Sequence, residues 1–220
     1  ACVAGVFSLE DGLKLAAARG RLMGALPQNG EMVAVSADEA SVRQAIAPYA
    51  AGVSIAAVNG PESVTISGLR TAVLAICAQL AAADVKTQRL NVSHAFHSPL
   101  MDPMLEPFEA VAASITYHKP ALRLISNVTG KLAGDEITRP QYWVRHVRQT
   151  VRFADGLATL AEQRAAVWIE IGPKPALLGM AGQSHAAGTA LALLPSLRPR
   201  QGDTAQMLAA LAELYVRGVE

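Results

Sequence analysis

Ala57-Val58-Asn59-Gly60-Pro61-Glu62-Ser63-Val64-Thr65-Ile66-Ser67-Gly68 reads as strand, turn and strand. The apolar run from Val53 to Val58 and the β-branched run Val64-Thr65-Ile66-Ser67 suit a half-buried pleated surface. Between them Asn59-Gly60-Pro61-Glu62 is turn chemistry, because Asn and Gly tolerate a left-handed backbone and Pro fixes its own φ. On the N-terminal side, Met32-Val33-Ala34-Val35 is a strand. Asp38 to Ala47 is a helix with Asp38 near its cap and Pro48 as its stop. On the C-terminal side, Thr71 to Ala83 is an alanine-rich helix and Val85 to Leu90 a closing strand. The order is β-α-β-β-α-β.

That order is the one of a ferredoxin-like unit. Outside it, Ser8 caps a helix that runs to about Met23, with acids in its first turn. Met101 to Ala113, Pro140 to Val147, Phe153 to Glu162, Pro175 to Ala181 and Thr204 to Val216 are further helices. Leu122 to Ser126, Ala166 to Glu170 (a buried strand) and Leu191 to Leu194 are strands, and Asn127-Val128-Thr129-Gly130 is a turn. Strands alternating with helices argue an α/β fold with a mainly parallel sheet.

Bulk properties narrow the function classes. The 220 residues carry 19 basic and 18 acidic side chains, a balance that gives no case for nucleic-acid binding. Half the residues are hydrophobic and few are aromatic, so the core is aliphatic. No apolar run reaches the ~18–20 residues that span a bilayer, which argues against a membrane protein. Cys2 and Cys77 are too few and too far apart for a metal knuckle or a disulfide framework, and a cytoplasmic setting is the simpler one.

Two stretches carry candidate chemistry. In Asn91-Val92-Ser93-His94-Ala95-Phe96-His97-Ser98-Pro99-Leu100-Met101, two of the five histidines lie three residues apart at a strand-to-helix junction, with Pro99 placed to start the helix. Histidine suits general-base work near neutrality, but a packed histidine fits the spacing equally well. A metal reading lacks a third ligand nearby. In the first helix, Arg19 shares a face with Leu15, Leu22 and Met23. Such an arginine either packs its stem and sends its head to water or meets an anion, since an unpaired buried charge is costly.

The His94-Ala95-Phe96-His97 stretch resembles the corresponding segment of acyltransferase domains in type I polyketide synthases, and more loosely the malonyl-CoA:acyl carrier protein transacylases. The resemblance extends through Ala17-Ala18-Arg19-Gly20-Arg21-Leu22-Met23, the 57–68 hairpin, Tyr142-Trp143-Val144-Arg145-His146-Val147-Arg148 and Glu170-Ile171-Gly172-Pro173. It implies an α/β-hydrolase-like parallel-sheet core with an inserted ferredoxin-like βαββαβ subdomain. Residues 1–29 and 91–193 would form the large subdomain, 30–90 the small one, and 194–220 a linker after the acyltransferase that packs along a ketosynthase.

The resemblance also implies roles. His97 would be the catalytic base, oriented by the backbone carbonyl of His146. Arg19 would bind the free carboxylate of the extender unit, with Phe96, His94 and Asn59 at the substrate; for Asn59 a turn-forming role competes, and Glu170-Ile171-Gly172-Pro173 reads as a structural loop. In the family this His-Ala-Phe-His form accompanies malonyl selection, and Phe96 would fill the space that an α-methyl branch needs. Malonyl would pass from coenzyme A through an acyl-serine to the phosphopantetheine thiol of an acyl carrier protein, as in secondary-metabolite biosynthesis. No cofactor would be tightly bound and no metal used.

The family serine stands in a Gly-His-Ser-x-Gly elbow. The nearest match, Gly182-Gln183-Ser184-His185-Ala186, lacks the closing glycine and follows a helix. Ala1-Cys2-Val3-Ala4-Gly5-Val6-Phe7-Ser8-Leu9-Glu10-Asp11 resembles the stretch that comes a few residues after the elbow. The expectation is therefore that the serine precedes residue 1 and that the chain needs that N-terminal part. The alternatives are another dicarboxylyl-CoA, such as methylmalonyl-CoA, and a non-catalytic scaffold.

Overall fold

The computed structural model describes residues 1–184, 188 and 192–219. Two compact units divide the chain, Ala1–Gly156 and Leu157–Glu220.

In the first unit, α1 (Leu9–Gly24) opens as its sequence predicts: the Ser8 hydroxyl accepts from the Asp11 amide at 3.1 Å, and Glu10 and Asp11 face the positive end of the helix dipole. The βαββαβ order is present element by element, as β1 (Gly30–Val35), α2 (Glu39–Ile46), β2 (Val53–Gly60), β3 (Ser63–Leu69), α3 (Arg70–Ala82) and β4 (Thr87–Arg89). Asp38 caps α2 through the Ser41 amide at 3.0 Å, and Pro48 sits in the 3-10 turn Ala47–Tyr49 that ends it. The sheet order is β2-β3-β1-β4, and β1 pairs antiparallel with both β3 and β4, as β2 does with β3.

The pleat decides what each face of this sheet meets. Val33, Val35, Ile55, Val64 and Ile66 point to Val42 and Ile46 of α2 and to Val73, Ile76 and Leu80 of α3, forming one aliphatic core. The other face presents Met32 and, across a register shift between Ile55 and Ala57, Ala56. Ala95 packs on that face, with Leu90, Phe96 and Leu100 around it. The histidine segment is thus laid against the back of the sheet.

A second core joins α1 to the helices on the C-terminal side of that segment. A 3-10 stretch, Pro99–Met104, leads into α4 (Leu105–Ala112), then α5 (Pro140–Arg148). Val6, Phe7, Leu15, Met101, Met104, Phe108, Tyr142 and Val147 fill the space between them. The expected helix over 101–113 therefore begins as a tighter 3-10 turn, with prolines at 99 and 103.

The strand expected at Leu122 to Ser126 is reduced to one antiparallel bridge, Ile125 with Leu132. Ser126 turns inward, bonds the Tyr142 hydroxyl at 2.8 Å, and accepts from the Val128 and Thr129 amides, which starts the turn. Gly130 completes it at φ +67°, where an added Cβ would lie 2.3 Å from Asp155 Cβ.

The second unit contains β5 (Val167–Glu170), α7 (Ala176–Ala181), β6 (Ala192–Pro195) and α8 (Asp203–Val216); α6 (Phe153–Glu162) runs across the boundary in sequence. β5 pairs with β6 in parallel. Among the described residues the four-stranded sheet of the first unit is antiparallel, as the ferredoxin-like order implies, and the parallel pairing expected outside it is present in this pair. Of β5 only Trp168 is buried, against the expected buried strand. Glu170 accepts from the Leu177 and Leu178 amides at 3.1 and 2.8 Å, so Glu170-Ile171-Gly172-Pro173 is a capped loop, as expected. Of the expected strand 191–194, Leu191 lies outside the described residues. α8 has no buried residue, and Met207, Leu208, Leu211 and Tyr215 are exposed.

Candidate active site

His97 has φ +58°, a left-handed backbone that a side chain with a Cβ adopts at a cost. Its neighbours impose it. Ser98 donates its hydroxyl to the Ala95 carbonyl at 2.6 Å and accepts from the Leu100 amide at 3.2 Å, so the chain doubles back around residue 97. His94 is buried with Nε2 3.0 Å from the Leu26 carbonyl, which ties the segment to the end of α1. The ring of His97 is half-buried.

Its Nδ1 lies 2.9 Å from the carbonyl oxygen of Gln149. A carbonyl only accepts, so Nδ1 carries the proton and Nε2 keeps a lone pair. This corrects the expectation for His146. The His146 carbonyl belongs to the last turn of α5, whereas Gln149 caps the helix with ψ 162°, and its carbonyl is swung out of the helical ladder. Gln149 is held from behind: the Thr150 hydroxyl donates to the Ile55 carbonyl at 2.7 Å, and Val151 exchanges backbone bonds with the β2 edge, from its amide to Ala56 and from the Val58 amide to its carbonyl. The lobe therefore fixes the tautomer of the histidine. Sequence reasoning missed Gln149 because a backbone carbonyl leaves no side-chain signature; the end of α5 was the available signal.

Arg19 projects from α1 into a cavity of about 160 Å³ shared with Phe7, Leu15, Phe108, Trp143, His146 and Val147. Among the described residues no carboxylate forms an ion pair with it. Burial lowers its pKa. His97 is held below the ordinary histidine value, first by burial and then by the Arg19 charge, against which the Gln149 carbonyl acts in the opposite sense. His146 is pushed down to about 4, by burial first and then by Arg19 and His97. The cavity thus holds the Arg19 charge and the His146 ring, and His97, which does not line it, is close enough to feel the same charge, an arrangement that calls for an anion and offers a base near it.

The remaining expected residues divide between this site and its supports. Phe96 is half-buried between the Met32–Ala56–Ala95 cluster and the larger core, next to His97 in the chain. His94 does not line this cavity, and its buried ring, bonded to the Leu26 carbonyl, braces the segment. Asn59 lies in β2 just before the turn and donates to the Thr65 hydroxyl at 3.5 Å across the hairpin. Gly182 is the C-cap of α7; of the weak elbow match, His185 and Ala186 lie outside the described residues. Among the described residues no group of His, Cys, Asp and Glu is arranged for a metal ion, and no helix is long and apolar enough to cross a membrane.

The profile of the acyl transferase domain family matches residues 1–220. Mycoketide-CoA synthase of Mycobacterium tuberculosis is 46% identical over 218 residues, covering 99% of this chain and 5% of that protein. Polyketide synthase GfsA of Streptomyces halstedii is 44% identical over 225 residues, covering all of this chain and 3% of that protein. The acyltransferase domain from the second module of the salinomycin polyketide synthase superposes with a TM-score of 0.94 at 47% identity, over 100% of this chain and 52% of that one. The chain therefore spans about half of that solved domain and a few per cent of the synthases it matches. With the histidine segment, the arginine helix and the βαββαβ lobe in place, the chain belongs to the acyl transferase domain family, on its polyketide synthase branch.

Proposed function

We propose that this chain serves the transfer of a malonyl extender unit from coenzyme A, through an acyl-serine, to the phosphopantetheine thiol of an acyl carrier protein. The observation that carries the reading is a guanidinium, Arg19, with no carboxylate partner among the described residues, whose charge acts on a His97 held in a base-competent tautomer. A malonyl thioester has the matching pair of features: a carboxylate for the guanidinium to hold bidentately, and a carbonyl carbon for a nucleophile activated by the imidazole. The serine is not among these residues in this reading; it is contributed by the part of the domain that precedes residue 1.

The chemistry then derives from the tautomer. Nε2 of His97 takes the serine proton as the serine oxygen bonds to the thioester carbon. The tetrahedral intermediate collapses, the carbon–sulfur bond breaks, and the imidazolium returns its proton to the departing coenzyme A sulfur. The carrier-protein thiol then repeats the cycle, giving its proton to His97 and displacing the serine. Burial beside Arg19 favours the neutral imidazole, so the base is ready at neutral pH. The Gln149 carbonyl stabilises the transient imidazolium, the role that a carboxylate takes in a triad. No tightly bound cofactor enters.

Phe96 supports malonyl over methylmalonyl, as the residue next to His97 in the chain whose ring would fill the space of an α-methyl branch. For the fold we read β1-α2-β2-β3-α3-β4 as a ferredoxin-like subdomain, on its sheet order, inserted in an α/β-hydrolase-like core to which the parallel β5–β6 pair belongs. The exposed apolar residues of α8 support a linker against a ketosynthase, and the two free cysteines go with a cytoplasmic setting. The test is Arg19→Ala in the full-length synthase. Malonyl transfer should fall about 10²-fold relative to acetyl transfer, the loss of a two-point charged hydrogen bond; an unchanged malonyl-to-acetyl ratio would overturn the reading.

A further inference from the structure

The Arg19 cavity has a second polar occupant. Of the side chains lining it, Phe7, Leu15, Ala16, Phe108 and Val147 are apolar. The Trp143 indole N–H is already donated to the Ile137 carbonyl at 3.1 Å. Arg19 and His146 are left. The imidazole of His146 is half-buried and set at the edge of an aromatic pair, its ring centre 6.1 Å from Trp143 and 6.2 Å from Tyr142. Those rings hold its plane without using its nitrogens. α5 explains the placement: His146 lies one turn after Tyr142 and Trp143 and three residues before Gln149, so the helix that fixes His97 through a carbonyl also brings this imidazole beside Arg19.

We infer that His146 is a second substrate-binding side chain, whose ring N–H donates to the free carboxylate of the acyl group held by Arg19. The inference rests on the dicarboxylate reading above. A carboxylate has about four lone-pair sites and a bidentate guanidinium uses two of them. In an otherwise apolar cavity the unused sites lose water, so one further donor is worth more there than at a surface. A neutral imidazole has one N–H for this task and adds no second positive charge beside Arg19 and His97. It therefore discriminates between an acyl group that ends in a carboxylate and one that ends in a methyl.

The full-length synthase with His146→Phe, which keeps a planar ring of similar bulk and removes the donor, tests this against His146→Asn, which keeps an N–H. The readout is the ratio of kcat/KM for malonyl-CoA to that for acetyl-CoA. The ratio should drop about tenfold in His146→Phe, chiefly through KM for malonyl-CoA, and recover most of the loss in His146→Asn. A ratio unchanged in His146→Phe, or an equal fall for both substrates in both variants, would overturn the inference while leaving the Arg19 reading intact. A wild-type chain that does not take up malonyl would remove both.

Discussion

Gly30 stands where the start of the β1 strand lies against the histidine segment, and Gly30→Ala tests whether the lobe positions His97. A Cβ built there would lie 2.4 Å from Ala95 Cβ and 2.8 Å from Leu100 Cδ1, with the Gly68 carbonyl at 3.2 Å behind it. Carbon atoms in good contact are ~3.5–4 Å apart, so one side must retreat by about 1 Å. β1 yields less readily, because Gly30 is paired with Leu69 of β3 and the strand is held on its other edge by β4 from Val33 onward. Ala95 is the part that moves, and it is two residues from His97, in a turn closed by Ser98. Overpacking of this kind costs roughly 1–3 kcal/mol of stability. A shift of that size at a catalytic group can cost about 10²-fold in rate. The expected result is a protein with an unchanged far-UV circular dichroism spectrum, a Tm lower by several degrees, and acyl transfer reduced by about two orders of magnitude in kcat. Transfer within threefold of wild type would refute the claim that the sheet's second face sets the position of His97.

Other outcomes rest on the same geometry. Transfer should decline as acid protonates His97, with an apparent pKa below the ordinary histidine value, because burial and Arg19 both disfavour the imidazolium; a pH profile of kcat/KM with its midpoint at or above 6.5 would contradict this. Stability should have the same sign. Folded His97 and His146 bind protons less readily than the unfolded chain, so their contribution is complete above about pH 6.5 and is lost as pH falls toward the folded value of His146, about 4; urea midpoints between pH 7 and 4.5 check it. Phe96→Ser should lower the preference for malonyl-CoA over methylmalonyl-CoA about tenfold, the order of effect that one methyl group has in a hydrophobic pocket. An unaltered ratio would remove Phe96 from selectivity.

The lobe was legible because its signals are local. Val33, Val35, Val64 and Ile66 alternate, Asp38 and Ser8 are capping residues, and the Asn59–Glu62 turn joins two β-branched runs, so periodicity and turn chemistry agree with what the sheet adopts. The positions of Arg19 and His97 were readable from an arginine on an apolar helical face and a histidine before Pro99. The roles proposed for them rest on a family resemblance. The run Leu122 to Ser126 finds a single bridge partner, Leu132, for Ile125, too little for the strand its residues suggest. The use of the Gln149 carbonyl is set by partners distant in sequence: Gln149 is placed by bonds from Thr150 and Val151 to a strand about 95 residues earlier. The bond of His94 is equally long-range: nothing in its own segment reveals that Leu26 waits 68 residues away.

The most direct measurement is intact and peptide mass spectrometry of the full-length protein after incubation with equal malonyl-CoA, methylmalonyl-CoA and acetyl-CoA, beside a His97→Ala variant. A malonyl adduct on a serine that precedes residue 1, dominant over the other two acyl groups and strongly slowed in the variant, is the predicted result. An adduct on Ser184, an acetyl adduct in excess, or labelling that proceeds equally fast without His97 would contradict it.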